Sequence, residues 1–333
     1  MSTEASTAVI GAGYWGKNLV RNLNQLGALR AVCDSDQAIL DAAATTYAPV
    51  TVTPSLEEIL SNRAIKAVAI ASPASTHHDV VKQSLLAGKD VFVEKPLALT
   101  VREGEELVAI ARREERVLMV GHLLQYHPAV LKLKAMVAAG DLGRIQYIYS
   151  NRLNIGKLRT EENILWSFAP HDISILLMLL GEEPQAVSCT GGAYLNKEVF
   201  DTTLTTLEFR HGVRGHIFVS WLHPFKEQKL VVIGSKAMAV FDDVSAEKLF
   251  LYPHTIEWKD GKVPVAQKAP HTVVAFDAGE PLKLELSHFL ECVTTRRTPR
   301  TDGEEGLRVL RILEAAEKSL LGGAQTAQSI RKP

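Results

Sequence analysis

The spacing of glycines after the first apolar run constrains this chain more than any other feature. Residues 7–16 read T-A-V-I-G-A-G-Y-W-G. Ala8, Val9 and Ile10 make a short buried strand, and Gly11, Gly13 and Gly16 follow in G-x-G-x-x-G order. The residues after them, K-N-L-V-R-N-L-N-Q-L, have helical periodicity. Strand, glycine turn and helix in that order suit a dinucleotide. The first glycine permits the tight turn, the second lets backbone approach the pyrophosphate, and the third lets helix pack on strand. N–H groups at the helix start favour the bound anion. A second apolar run ends at Cys33, and Asp34 and Ser35 follow it. Asp34 falls near the position where an acid meets the adenosine ribose diol. A carboxylate there accepts from the diol and repels a 2′-phosphate, so NAD is expected over NADP.

The chain has 333 residues, a length that suggests two domains. With 37 basic and 38 acidic residues the net charge is −1, and no basic stripe points to nucleic acid. Cys33, Cys189 and Cys292 are too few and too scattered for a disulfide framework or a zinc site. His77, His78 and Asp79 are adjacent, so on a helix they point in different directions, and no metal site is expected. The N-terminal M-S-T-E-A-S-T lacks the regions of a signal peptide. The longest apolar helix candidate, 173–180, is too short to span a bilayer. A cytoplasmic protein, off the membrane, is the expectation.

Strand patterns at 50–52, 67–71, 91–93 and 117–120 alternate with helical ones and complete a set of six with the first two. The fold class expected is α/β, with a doubly wound parallel sheet forming an NAD-binding Rossmann domain over residues 1–123. Beyond it the pattern changes. Helices are expected over 128–139 and 170–180, then consecutive strands that include 203–209, 214–221, 229–233 and 238–241. Two helices close the chain, near 282–296 and 303–320. Residues 124–333 therefore read as an α+β domain with a large open, mostly antiparallel sheet. The domain is expected to bind substrate, and helices covering one face of its sheet would leave the other apolar and available to a partner subunit.

Ligands bind at the carboxyl ends of parallel strands. Ser72, Pro73 and His77 follow the fourth strand, Glu94, Lys95 and Pro96 the fifth, and Gly121 and His122 the sixth. Lys95, at the mouth of a cofactor crevice, can polarise a substrate hydroxyl or relay a proton. The stretch 165–177 reads L-W-S-F-A-P-H-D-I-S-I-L-L. Pro170 suits the first turn of a helix, with His171 and Asp172 beside it. His171 is a candidate general base. Spacing alone leaves a capping or packing histidine equally open.

Taken together, G-A-G-Y-W-G, A-S-P-A-S-T-H, V-E-K-P-L and the P-H-D helix resemble the Gfo/Idh/MocA oxidoreductases. The resemblance covers nearly the whole chain. It implies hydride transfer between a sugar or polyol carbinol and nicotinamide, with a lysine and a histidine as the polar pair. Those roles fall on Lys95 and His171, with Asp172 beside them, converging on one carbinol carbon. Many members carry an Asp four residues before the histidine; here Ser167 stands there. Tyr14, Trp15, Ser72, Pro73, His77, Glu94, Lys95 and Gln125 are expected at the cofactor. The family also implies a dimer or tetramer formed through the C-terminal sheet.

Residues 151–172 and 220–229 look like the nucleotide-sugar branch of that family. This branch oxidises the 3-hydroxyl of UDP-N-acetylglucosamine, or its uronate, and passes a 3-keto sugar to a PLP aminotransferase for lipid A or surface polysaccharide. On that resemblance Arg152, Lys157 and Arg159 are expected at the diphosphate. Tyr126, Trp166, Trp221 and His223 are expected at the sugar or base. A free sugar or polyol such as inositol, or a non-catalytic dinucleotide-sensing role, are the alternatives.

Overall fold

The computed structural model describes residues 6–156, 158 and 162–323. Lys157 and Arg159 lie outside the described residues. The first elements in chain order are β1 (Thr7–Ile10), α1 (Gly16–Gln25), β2 (Leu29–Cys33), α2 (Gln37–Thr46), β3 (Thr51–Thr53) and α3 (Leu56–Ser61). They are followed by β4 (Ala67–Ile70), α4 (His77–Leu86), β5 (Asp90–Glu94), α5 (Val101–Arg113) and β6 (Leu118–Gly121). The six strands pair in parallel in the order β3-β2-β1-β4-β5-β6. The order reverses between β1 and β4, which opens a crevice at their carboxyl ends. Short polar side chains start the helices. Asp36 accepts from Ala38 N ahead of α2, Ser55 from Glu58 N ahead of α3, and Thr100 and Glu103 form a reciprocal capping box on α5.

The chain continues through α6 (Pro128–Ala139), β7 (Ile145–Leu153), α7 (Ile164–Leu180), β8 (Ala186–Gly192), β9 (Thr202–Glu208) and β10 (Arg214–Ser220). After these come β11 (Glu227–Gly234), β12 (Met238–Asp242), β13 (Leu249–Tyr252), β14 (Thr255–Lys259), β15 (Val263–Gln267) and β16 (Thr272–Val273). Eight of these strands form one sheet, ordered β16-β13-β12-β11-β7-β10-β9-β8. Its pairs are antiparallel except β7 with β10. The central strand β7 is absent from the sequence reading. α7 packs on β7, β9 and β10.

α7 begins earlier than its sequence suggests. Asn163 caps it by accepting from Trp166 N, so Pro170 lies inside the helix and His171 and Asp172 sit mid-helix rather than at its start. Pro170 removes one ladder bond. The buried residues of α7 hold the helix on the sheet across that gap.

Two more helices close the chain, α8 (Pro281–Thr295) and α9 (Gly303–Gly323). The chain divides into two compact units, and neither is contiguous in sequence. One joins the residues through Tyr126 to Gly279–Arg311; the other joins His127–Ala278 to the residues from Ile312 onward. The expected 1–123 and 124–333 division therefore misses the return of the chain. α8 supplies Leu282, Leu286, Phe289, Leu290 and Val293 to the same core as Val9, Val32, Phe92 and Met119. Phe92 and Phe289 meet with ring centroids 5.8 Å apart.

Candidate active site

The glycine turn is built as a phosphate cradle. Gly11 has φ +84°, and a Cβ there would lie 2.6 Å from Ser72 N. A Cβ on Gly16 would lie 1.9 Å from the Gly11 carbonyl oxygen, so α1 starts against the turn itself. A Cβ on Gly13 would meet nothing within 4 Å, which leaves open the space a pyrophosphate takes. Asp34 is held in place by its backbone neighbours: Oδ2 accepts from Ala12 N (2.7 Å) and Oδ1 from Asp36 N (3.0 Å). Its carboxylate is thus fixed beside the turn with lone pairs left for a ribose diol. Ser35 is exposed next to it. Tyr14 is 82% exposed, with Lys17 Nζ 5.6 Å from its ring centre.

The turns after β4 and β5 approach the same place. Trp15 Nε1–H, in the glycine turn, donates to Glu94 Oε1 at 2.5 Å. Glu94 lies across from Gly121, where a Cβ would come 3.1 Å from Glu94 Oε2. Burial pushes the Glu94 carboxyl up to about 7, against the lowering effects of Trp15 and Lys95. The charge of Lys95 also reaches His77 and His122. Burial, reinforced by Lys95, brings His122 down to about 3, and neither of its ring nitrogens has a partner among the described residues. Ser72 Oγ pairs with Thr76 Oγ1 at 2.7 Å, and the exposed Pro73 turns the chain into that segment.

His77 departs from its expected place at the cofactor. It is buried, with Nδ1 2.7 Å from the Pro96 carbonyl and Nε2 3.0 Å from the Ser72 carbonyl. The ring braces the two turns instead of facing outward. Burial lowers its pKa more than these carbonyls raise it. Gln125 is likewise turned inward: it donates to Glu305 at 2.8 Å and is buried. Tyr126 is buried in the first unit, with its hydroxyl 2.8 Å from His288 Nδ1 and Arg300 stacked over its ring. These contacts leave Gln125 and Tyr126 as parts of the core rather than of a ligand surface.

In the second unit, Asp172 and Arg152 belong to each other. Arg152 Nε–H donates to Asp172 Oδ2 (2.8 Å) and an Nη2–H to Oδ1 (3.1 Å), while Ser150 Oγ–H donates to Oδ1 (2.5 Å). Asp172 is 2% exposed and Arg152 9%. A fork that fits a diphosphate fits a carboxylate equally well, and here a carboxylate has taken it. Asp172 as a catalytic group and Arg152 as a diphosphate ligand are both corrected by this pairing. Trp166 is buried, with Nε1–H donating to Glu317 at 2.9 Å. Trp221 is 1% exposed and edge-on to Phe168. Burial takes both indoles away from the sugar contact expected of them. His171 remains half-buried on α7, where its carbonyl accepts from Ser174 Oγ. His223 is half-buried between Phe218 and Phe225, edge-on to both.

Glu285, which the sequence reading passes over, is the largest omission. It is fully buried on α8, and both its oxygens lack a partner among the described residues. A glutamate inside the apolar stripe L-K-L-E-L-S-H-F-L was the available signal.

Residues 5–122 match a family described as "Oxidoreductase family, NAD-binding Rossmann fold", and residues 130–240 match the "GFO/IDH/MocA C-terminal domain". The chain belongs to the GFO/IDH/MocA family. Its first unit is accordingly an NAD-binding Rossmann domain, and the glycine turn and Asp34 fit that cofactor. Among this oxidoreductase's relatives, YrbE of Bacillus subtilis, an uncharacterized oxidoreductase, is 26% identical over 97% of this chain and 96% of its own. A UDP-N-acetylglucosamine 3-dehydrogenase of Acidithiobacillus ferrooxidans is 27% identical over 91% of this chain and 93% of its own. A scyllo-inositol 2-dehydrogenase (NAD(+)) of Bacillus subtilis is 27% identical over 83% and 81%. The solved structure of UDP-N-acetylglucosamine 3-dehydrogenase GnnA from Acidithiobacillus ferrooxidans has the same fold. Its TM-score is 0.84 at 24% identity, covering 96% of this chain and 98% of that one.

Proposed function

We propose that this GFO/IDH/MocA oxidoreductase oxidises the C3 hydroxyl of a UDP-linked amino sugar, UDP-N-acetylglucosamine to its 3-keto form. The observation that carries this reading is a likeness to a UDP-N-acetylglucosamine 3-dehydrogenase that runs through both units. NAD, when bound, accepts a hydride from the carbinol carbon. Gly11, Gly13 and Gly16 would hold its pyrophosphate and Asp34 its adenosine ribose, with Trp15 and Glu94 at the far side of the turn. Lys95 offers its ammonium to the carbinol oxygen as negative charge develops there. His171 takes the hydroxyl proton at a ring nitrogen. The balanced outcome is one ketone, one NADH and one proton. Asp172 takes no proton in this scheme, because Arg152 and Ser150 already occupy its oxygens.

A homo-oligomer formed through the second unit's sheet fits the half-buried Tyr147, Tyr149, His216 and Phe218 on one of its faces. A 3-keto product suits a following PLP aminotransferase, in a cytoplasmic route to lipid A or surface polysaccharide.

One observation favours a second reading, oxidation of a free polyol such as inositol. Arg152 is already neutralised within the fold and brings no free charge to a diphosphate. Purified full-length enzyme with NAD, assayed by NADH absorbance, separates the two. UDP-N-acetylglucosamine, its uronate and scyllo-inositol serve as parallel substrates. The expected result is a kcat/KM for a UDP-sugar about a hundredfold above that for inositol. The reverse order overturns the nucleotide-sugar reading.

A further inference from the structure

Two buried carboxyls, Glu94 and Glu285, lie close enough for the charge of one to act on the other, and only Glu94 belongs to a recognised motif. Side chains two apart on a strand share a face, as do side chains four apart on a helix. Phe92 and Glu94 are two apart on β5; Glu285 and Phe289 are four apart on α8. Phe92 and Phe289 touch. That contact fixes Glu285 on the helix face turned toward Glu94. Gly121, on the neighbouring strand, leaves the room that the Glu94 side chain fills. Glu285 is 0% exposed, and neither oxygen has a partner among the described residues. Burial, and after it the charge of Glu94, push the Glu285 carboxyl well above its ordinary range, which favours its neutral form.

We propose that Glu285 is a positioning residue that holds a proton opposite Glu94, so that the pair carries one negative charge and binding of oxidised NAD draws the last mobile proton from Glu94. The pair is then matched to the single positive charge of the oxidised nicotinamide ring. Ionised Glu94 also accepts more strongly from Trp15 Nε1–H, which joins its charge to the glycine turn.

Other groups surround the pair. Lys95 stands on the same turn as Glu94, and His122 follows β6. Tyr126 feels Glu285 and lies under Arg300, while His288 on α8 turns to the Tyr126 hydroxyl. α1 meets α8 at Glu280, where Arg21 and Asn22 bind. Lys95 favours ionised Glu94, and His122 is neutral in the working range. Glu94 therefore carries the titration.

The coupling needs only the dinucleotide, so it stands or falls apart from the sugar assignment. The test is NAD and NADH affinity of the full chain, read by tryptophan fluorescence from about pH 6 to about pH 9, with calorimetry in buffers of different ionisation enthalpy. NAD affinity is expected to rise by up to tenfold per pH unit below neutrality, with about one proton released, and NADH affinity to rise less. Glu94→Gln is expected to flatten the NAD profile. Glu285→Leu is expected to move the acid limb to higher pH and weaken NAD about tenfold at pH 7, converging with the wild type at high pH. Glu285→Gln, which keeps a neutral polar side chain of the same shape, is expected to restore the limb. A limb unmoved in a folded Glu285→Leu variant, or a flat wild-type profile without proton release, overturns the proposal. If Glu285→Leu does not fold, Glu285→Gln still decides: a displaced limb in that variant overturns it too.

Discussion

Each unit buries a carboxylate on a helix facing a strand, and the two are handled in opposite ways. On α7, Asp172 meets a guanidinium fork and a hydroxyl from β7, which fix its charge in place. On α8, Glu285 feels the charge of another carboxyl, Glu94, and neither of its oxygens has a hydrogen-bond partner among the described residues. An ion pair serves the fold; in our proposal a buried acid that keeps its proton leaves Glu94 beside it to vary its charge. The lesson extends to the cations. Arg152 is locked inside its unit by Asp172, whereas Lys95 follows the end of β5, where the proposed reaction would place the carbinol oxygen.

The sharpest test of that contrast exchanges the expected losses. Lys95→Ala is expected to lower turnover by about a hundredfold to ten-thousandfold, far more than it weakens NAD binding, while unfolding stays near the wild type. Turnover near the wild-type level would remove Lys95 from the chemistry. Arg152→Ala is expected to do the opposite, destabilising the chain by about 3–5 kcal/mol in denaturant unfolding because Asp172 is left buried and uncompensated. The double change Arg152→Met with Asp172→Leu is expected to recover most of that loss. A stable Arg152→Ala protein with a greatly raised KM would instead return Arg152 to the substrate.

The smallest expected effect concerns His122, a buried base just after β6. Its folded-state pKa of about 3 lies below the ordinary 6.5, so the unfolded chain binds the proton first as pH falls. Its contribution to stability is full above 6.5 and is lost as pH falls toward 3. Glu94 acts with the opposite sign. Its pKa is raised to about 7, so its contribution is present in acid and is lost as pH rises through 7. His122→Leu is expected to lessen the acid-side loss of melting temperature and leave the alkaline side unchanged. An unaltered acid limb would show that His122 is already protonated in the fold.

The first unit's sheet was legible because its information is local. Each strand is a short apolar run ending at a turn, and the glycine spacing specifies what the turn does. The second unit was legible only in part. β7 carries Gln146, Tyr147, Ser150, Asn151 and Arg152 among its apolar residues, so it reads as a loop until its neighbours on both sides pair with it. The α7 start was misplaced because Pro170 is a valid first-turn residue, and the true cap, Asn163, is ordinary in isolation. Arg152 was misassigned because carboxylate and phosphate recognition use the same fork. Gln125, Tyr126, Trp166 and Trp221 carry polar handles that read as ligand contacts, and only packing reveals that the handles serve the interior. The Glu94 and Glu285 pair was invisible for the same reason: its members are far apart in the chain and are joined by one phenylalanine contact.

The return of α8 to the first core has a consequence for synthesis. A ribosome delivers β1 through β6 while Phe92 and Met119 still lack the cover that Leu286 and Phe289 provide. Nascent chains must carry that apolar face uncovered through translation of the whole eight-stranded sheet. An isolated amino-terminal fragment ending near residue 126 is thus a poor choice for cofactor studies. A better one splices 279–311 directly after Tyr126.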